Sequence, residues 1–229
     1  MIKKAALFFV CVLIGITTYS QTCLDPGFYL NGLKLHKPTK DTIYKWRRKE
    51  LDFIKIKKHD TIADIGSFDG YYPLLYSIFS DSSVFYLNDI TQSGFVYYDS
   101  IKTICEQIRG SNFTNKFNIV IGNDSSTKLP DHLFNIVIVR EALHHFKMQD
   151  KMLADIKRIM KSDKDAKLIL YEPIRGQSKR EDLCAGAMTK TDLIALLNRN
   201  GFILSKELDD NDRSWFEFVL KDIAVMNKK

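Results

Sequence analysis

Hydrophobic and polar positions alternate between two periods along this chain, and the switches between them mark its elements. Short apolar runs of strand length occur at Thr61–Gly66, Ser83–Asp89, Phe117–Gly122, Phe134–Val139 and Ala166–Tyr171. Between them lie segments with apolar residues three and four apart, the spacing of one helix face. These are Gly70–Phe79, Gly94–Ile108 (Val96, Ile101, Ile104, Cys105, Ile108) and Met148–Met160 (Met152, Ile156, Ile159). A further helix is expected over Thr39–Ile56, with Ile43, Trp46, Leu51 and Ile54 sharing a face and Arg47, Arg48 and Lys49 outside. Thr189–Asn200 reads as the last helix. Thr189 and Asp192 form a capping-box-like start, and Asn200-Gly201 supplies the stop. Phe202–Glu207 and Trp215–Leu220 close the chain as two strands joined across Asp209–Asp212.

Repeated strand–helix units force parallel pairing with right-handed crossovers. The expected architecture is therefore α/β: a doubly wound, Rossmann-like, mostly parallel seven-stranded sheet with an antiparallel edge hairpin. Residues 21–38, with Pro26, Gly27, Gly32 and Pro38, read as an irregular lead-in, and 39–229 as one domain.

The first twenty residues follow a different rule. Lys3 and Lys4 precede the unbroken apolar run Ala5–Ile16, and Thr17-Thr-Tyr-Ser20 offers small residues before Gln21. That is the pattern of a secretory signal peptide cut near Ser20-Gln21, and it predicts an exported, periplasmic or secreted protein. A lipoprotein anchored at Cys23 is the weaker reading, because Ser20-Gln21-Thr22 departs from the small apolar triplet of lipidation signals. Loss of residues 1–20 would lower the formal net charge from +6 to +4. Basic residues read as spread along the chain, which suits a solvated surface and argues against nucleic acid, with weak attraction to an anionic membrane left open. Of the four cysteines, Cys11 would leave with the signal. Cys105 is expected as a buried thiol, and Cys23–Cys184 is the pair to test as a disulfide. No cysteine or histidine spacing suits a metal.

The candidate chemistry gathers at strand ends. Asp64 lies within the first strand and opens the loop Gly66-Ser-Phe-Asp-Gly70. A dinucleotide loop needs Gly-x-Gly-x-x-Gly and room for a pyrophosphate. Here Phe68 occupies the middle glycine position, and the carboxylates of Asp64 and Asp69 repel phosphate. An acidic glycine loop instead suits a cation or zwitterion such as S-adenosylmethionine. Asp89 closes the second strand, where a carboxylate can accept ribose hydroxyls. Asn123-Asp124 follows the third, where Asp124 can accept a hydrogen bond from an adenine amino group.

Taken in order, Ala-Asp-Ile-Gly-Ser-Phe-Asp-Gly-Tyr-Tyr (63–72), Tyr-Leu-Asn-Asp (86–89), Gly-Asn-Asp-Ser-Ser (122–126) and Leu-Pro-Asp (129–131) are followed by Phe-Asn-Ile-Val-Ile-Val-Arg-Glu-Ala-Leu-His-His-Phe (134–146). Arg-Ile-Met-Lys (158–161), Tyr-Glu-Pro (171–173) and Leu-Asn-Arg-Asn-Gly-Phe (197–202) complete the set. Over residues 40–221 the chain resembles the class I S-adenosylmethionine-dependent methyltransferases whose fourth strand runs into Leu-His-His-Phe. The resemblance implies that Asp64, Gly66, Ser67 and Gly70 line the methionine part of the cofactor. It implies that Asp89 holds the ribose, that Asp124 and Ser125 hold the adenine side, and that Arg140 and Glu141 face the sulfonium and a small-molecule acceptor. His144 and His145 are the candidate bases, with Glu141, Glu172 and Tyr171 as further acceptor contacts. Ile174–Met188, with Arg175, Lys179 and Arg180, reads as a substrate loop. Three departures stand out: Phe68 for glycine, Asn135 for a frequent Asp, and Ser162–Asp165 for a Pro-Gly-Gly turn. The alternative to an active enzyme is an exported cofactor-binding or catalytically inactive interaction protein. Neither the acceptor nor an oligomeric state is specified by these residues.

Overall fold

The fold was analysed in a computed structural model, which describes residues 28–177, 186–211 and 213–221. The signal segment, Cys23, Cys184, the Cys23–Cys184 pairing and the middle of the 174–188 loop lie outside the described residues. The chain order is α1 (Phe28–His36), α2 (Lys40–Ile54), β1 (Thr61–Ile65), α3 (Tyr71–Ser77), β2 (Val84–Asp89) and α4 (Tyr98–Arg109). There follow β3 (Lys116–Ile121), β4 (Ile136–Arg140), α5 (Gln149–Ile159), β5 (Lys167–Pro173), α6 (Lys190–Arg199), β6 (Phe202–Asp210) and β7 (Arg213–Leu220). Single 3₁₀ turns at Ser93–Tyr97 and Leu143–His145 precede α4 and α5.

The seven strands form one sheet in the order β3-β2-β1-β4-β5-β7-β6. β1 to β5 pair in parallel, and β7 runs antiparallel between β5 and β6. The order reverses between β1 and β4, so the crevice above these two strand ends is the ligand position that this topology prepares. Residues Ile62, Ala63, Asp64 and Ile65 of β1 are all buried, as a central parallel strand covered on both faces requires. One core layer packs Phe134, Leu153, Ile156, Leu196 and Phe216 beneath α5 and α6. The other packs Ile43, Phe53, Leu74, Tyr76, Ile101 and Trp215 beneath α2, α3 and α4.

The expected sheet is the one found, and four local expectations are corrected. The lead-in contains a helix: α1 buries Leu30 and Leu33 and stops before Pro38. In α2 the buried face is Ile43, Glu50, Phe53 and Ile54, while Trp46 is exposed and Arg47 half-buried. Val96 falls in the 3₁₀ turn before α4 and points to solvent. β6 extends to Asp210 and β7 starts at Arg213, so Asp209 and Asp210 belong to the strand and the turn is confined to the residues after them. Local chemistry elsewhere follows the sequence. Thr39 Oγ1 accepts from Thr42 N at 3.2 Å to cap α2, and Thr189 Oγ1 accepts from Asp192 N at 3.1 Å to cap α6. Asn135 Oδ1 accepts from Thr61 N (3.0 Å) and Lys161 Nζ (3.2 Å), tying β1 to β4 at the end away from the crevice. Cys105 is a buried free thiol, and burial pushes its pKa up to about 12. Among the described residues no helix is long and apolar enough to cross a membrane.

Phe134 is fully buried and meets Tyr86 edge-on at 5.1 Å. Phe134→Ala is expected to cost about 3–5 kcal/mol, as cavity-forming aromatic deletions do, read as a lower urea midpoint at unchanged slope.

Candidate cofactor crevice at the strand ends

The glycine loop after β1 is fastened to β2 by its own backbone. Gly66 N and Ser67 N both donate to Asn88 O, at 2.9 and 3.0 Å, and Phe68 N donates to Asp89 Oδ2 at 2.9 Å. Gly66 has φ 78°, and a Cβ there would stand 2.5 Å from the Ala142 Cβ. Its glycine therefore lets the loop after β1 touch the loop after β4. Gly70, with φ 77°, would likewise press a Cβ to 2.6 Å from Leu87. Phe68 adopts φ 53°, the left-handed conformation that a glycine would take at this position. The loop thus keeps its course with a phenylalanine in it, at some backbone cost.

Asp64 and Asp69 are buried in this loop with little to balance them. Burial raises the Asp64 carboxyl from its ordinary 3.8 to about 7; Arg140 pulls it down, and Asp89 and Asp69 push it up. Ser67 Oγ also helps hold Asp64 down, yet it falls short of hydrogen-bond geometry with any described residue. Burial raises Asp69 to about 6, although Tyr71 N donates to its Oδ1 at 3.0 Å. Asp69 Oδ2 is buried with no partner. Ser67 Oγ and Asp69 Oδ2, together with carboxyls that burial raises, make an acidic lining whose chemistry suits a cation.

At the end of β2, Asp89 accepts from Phe68 N through Oδ2 and from Ile90 N (2.7 Å) through Oδ1. Its carboxylate is held at the crevice rim. Ile90 next to it is exposed, an apolar face beside a fixed acid that the sequence reading passed over. After β3, Asn123 Oδ1 accepts from Ser125 N, Ser125 Oγ and Ser126 N, which folds Asp124 and Ser125 into a tight turn. Asp124 meets Lys147 Nζ at 3.0 Å on the surface. Asn88 Nδ2 donates to Thr127 O at 2.8 Å and draws this turn towards β2.

The end of β4 is built differently from the expectation of an arginine facing the cofactor. Arg140 is buried among Tyr72, Tyr171 and Trp215, with its guanidinium carbon 3.8, 4.2 and 5.1 Å from the three ring centroids. Its Nη1 donates to Glu50 Oε1 at 2.8 Å, and Tyr76 also donates its hydroxyl to that oxygen. Burial opposes the Arg140 charge, but Glu50, Tyr72, Tyr76 and Tyr171 together outweigh it and hold the pKa well above the ordinary arginine value. Glu141, with φ 50°, turns outward and accepts from Arg213 Nε. The two histidines separate as neighbours on a turn should. His144 is buried and its Nδ1 lies 2.5 Å from Glu172 Oε2, while Glu172 Oε1 accepts from Ala142 N (3.0 Å) and Leu143 N (2.9 Å). His144 Nε2 is buried without a partner. His145 is exposed, and partial burial lowers its pKa.

The structure thus gathers Asp64, Gly66, Ser67, Gly70 and Asp89 around one loop, with Asp124 and Ser125 on a neighbouring turn and Glu141, His144 and His145 beyond β4. It adds Tyr29, which stacks on Tyr71 at 4.3 Å and donates to the Tyr72 hydroxyl at 3.3 Å, as well as Glu50 and Trp215. Only Glu50 left a trace in the sequence, as an acid seven residues after Ile43 on the buried face. Among the described residues no group of three His, Cys, Asp or Glu side chains could hold a metal ion.

Residues 83–165 match the family model described as a methyltransferase domain. The fold is shared with a SAM-dependent methyltransferase from Aquifex aeolicus (TM-score 0.61, 16% identity, 85% of this chain and 97% of that one). It is shared with the pyocyanin biosynthetic protein PhzM (0.61, 16%, 87% and 59%) and with the mitomycin 7-O-methyltransferase MmcR (0.53, 14%, 71% and 49%). No curated protein sequence matches. The matched segment carries a methyltransferase-domain signature, and the sheet as a whole has the fold of S-adenosylmethionine-dependent methyltransferases. The cofactor implied is a zwitterion with a sulfonium, and the acidic, part-orphaned loop fits it.

Two outcomes follow. Glu50→Gln strands the buried Arg140 charge and should cost about 3–5 kcal/mol, whereas Glu50→Gln with Arg140→Met should recover much of that loss, both read by urea unfolding. Asp64 and Asp69 bind protons more tightly folded than unfolded, so their contribution to stability is full below about pH 4 and falls as pH rises through about 6 to 7. Asp64→Asn should therefore raise Tm at pH 8 and raise it less at pH 5. An equal shift at both pH values would refute the assignment.

Proposed function

We propose that this chain is a methyltransferase that moves a methyl group from S-adenosylmethionine to a small-molecule acceptor. The observation carrying this reading is the loop after β1: buried Asp64 and Asp69, with raised pKa values and orphaned Ser67 and Asp69 oxygens, at the switch point of the sheet. S-adenosylmethionine supplies an electrophilic methyl on a positively charged sulfur. Asp64, Gly66, Ser67 and Gly70 hold the amino-acid end. Asp89 accepts from the ribose hydroxyls, Ile90 offers an apolar face to the base, and Asp124 with Ser125 borders its far side. Arg140 is a positioning residue: paired to Glu50, it fixes the turn after β4 and keeps the ring faces of Tyr72 and Tyr171 in place. Alignment of acceptor and methyl can supply about 7–11 kcal/mol of the barrier reduction.

A hydroxyl acceptor also has to lose a proton. In the neutral ring, His144 Nδ1–H donates to Glu172 Oε2, and the Nε2 lone pair is left to accept a proton. His144 is thus the base in this reading, Glu172 orients it, and Glu141 and His145 border the acceptor. The small-molecule class is supported by the mitomycin 7-O-methyltransferase and the pyocyanin biosynthetic protein, which share the fold. Export after cleavage near Ser20-Gln21 is part of the proposal and rests on the N-terminal sequence alone. Mass spectrometry of the N-terminus of the purified protein tests it.

A cation beside Asp64 favours its ionised form. Binding of S-adenosylmethionine at pH 6 is therefore expected to release protons, seen as a binding enthalpy that depends on the ionisation enthalpy of the buffer. Affinity should rise from pH 5 to pH 8, and Asp64→Asn should bind more weakly with a smaller pH dependence, the remainder coming from Asp69. Native stability unresponsive to millimolar cofactor would overturn the reading, since a ligand of the native state must raise Tm.

A further inference from the structure

The chain carries a formal net charge of +6, and residues 28–60 account for all of it: ten lysines and arginines against four acids. The charge expected to be spread is concentrated in α1, α2 and the turn after them. One of the four acids, Glu50, is buried and paired to Arg140, which leaves the solvent face of these helices more basic still. Two adjoining hollows lie on this face and share Leu33 and Pro38 as a border; the second reaches Tyr29 and Tyr71 at the side of the crevice. One, of about 570 Å³, is edged by Lys34, Lys37 and Lys40. The other, of about 500 Å³, is rimmed by Phe28, Leu35 and Trp46, which are 54%, 77% and 63% exposed.

Three large apolar side chains held in water around one hollow, beside three lysines, match the composition of surfaces that lie in a membrane interface. There the apolar groups enter the acyl boundary and the lysines stay at headgroup level. Trp is favoured at that depth because its ring is amphipathic. A second copy of this chain would bring lysines against lysines, and a neutral apolar partner would leave the basic hollow unmatched.

We infer that the α1–α2 face docks on an anionic lipid bilayer, with Phe28, Leu35 and Trp46 entering the interface and Lys34, Lys37 and Lys40 meeting acidic headgroups. The inference is independent of the methyltransferase reading. The protein has two tryptophans, and Trp215 is 2% exposed, so lipid contact is reported by Trp46.

The test adds the full chain to vesicles of phosphatidylcholine with or without phosphatidylglycerol, some carrying brominated acyl chains. Trp46 emission should blue-shift and be quenched on the anionic vesicles. The effect should weaken severalfold in high salt and in the variant combining Lys34→Glu, Lys37→Glu and Lys40→Glu. Phe28→Ser with Leu35→Ser should lower the partition coefficient, while circular dichroism and cooperative thermal unfolding show that the variant is folded. Co-sedimentation with vesicles while Trp46 stays unquenched would mean that the N-terminal run anchors alone and would overturn the inference. Equal quenching on neutral and anionic vesicles would also overturn it. So would concentration-dependent self-association that shifts Trp46 emission without lipid.

Discussion

The buried pair of Arg140 and Glu50 is the interaction on which the geometry of the crevice depends. An arginine at the end of a central strand brings a charge into the layer between sheet and helices, and that charge needs a partner. Glu50 supplies it from α2 and Tyr76 adds a hydrogen bond, while three aromatic rings pack against the guanidinium plane. Those rings come from α3, β5 and β7. One cation therefore fixes the relative positions of α2, α3 and three strands around the crevice. Pairs of this kind are weak contributors to net stability, because desolvation offsets attraction. Their effect is to penalise any arrangement in which the partners separate.

The opposite sign governs the neighbouring loop. Asp64 and Asp69 are buried without adequate partners, so they are a cost to the fold. Evolution of a stable scaffold alone would favour asparagine or an apolar residue at both positions. Their presence in this chain makes sense when the crevice has to accept positive charge, and the burial that destabilises them also strengthens their attraction for a cation. Arg140 stands close enough to draw Asp64 down, and its pairing to Glu50 limits how much of that acid it satisfies.

The sheet was legible because its strands are buried on both faces and read as unbroken apolar runs. The acids at strand ends were legible for the same reason, since register places them. What escaped depended on partners distant in sequence. The helix α1 is nine residues long, contains Gly32 and buries only Leu30 and Leu33, too little periodicity to show through Gly27 and Pro38. Trp46 and Val96 were assigned inward because they are large and apolar, yet their helical positions face solvent. Asp209 and Asp210 resemble a turn, but pairing with β7 extends the strand through them. Arg140 was read towards the cofactor because Glu50, ninety residues earlier, gives no local sign of being its partner.

The antiparallel placement of β7 has a consequence in time. Because β7 runs against its neighbours, its first residues rather than its last sit at the crevice, and Trp215 arrives there from the far end of the chain. During synthesis Glu50 and Arg140 leave the ribosome well before the aromatic wall that covers them. A nascent chain thus holds a charged, half-walled crevice until its last strand slots between β5 and β6. Chains cut short before residue 213 would carry the whole glycine loop and still lack the Trp215 side of the wall around Arg140.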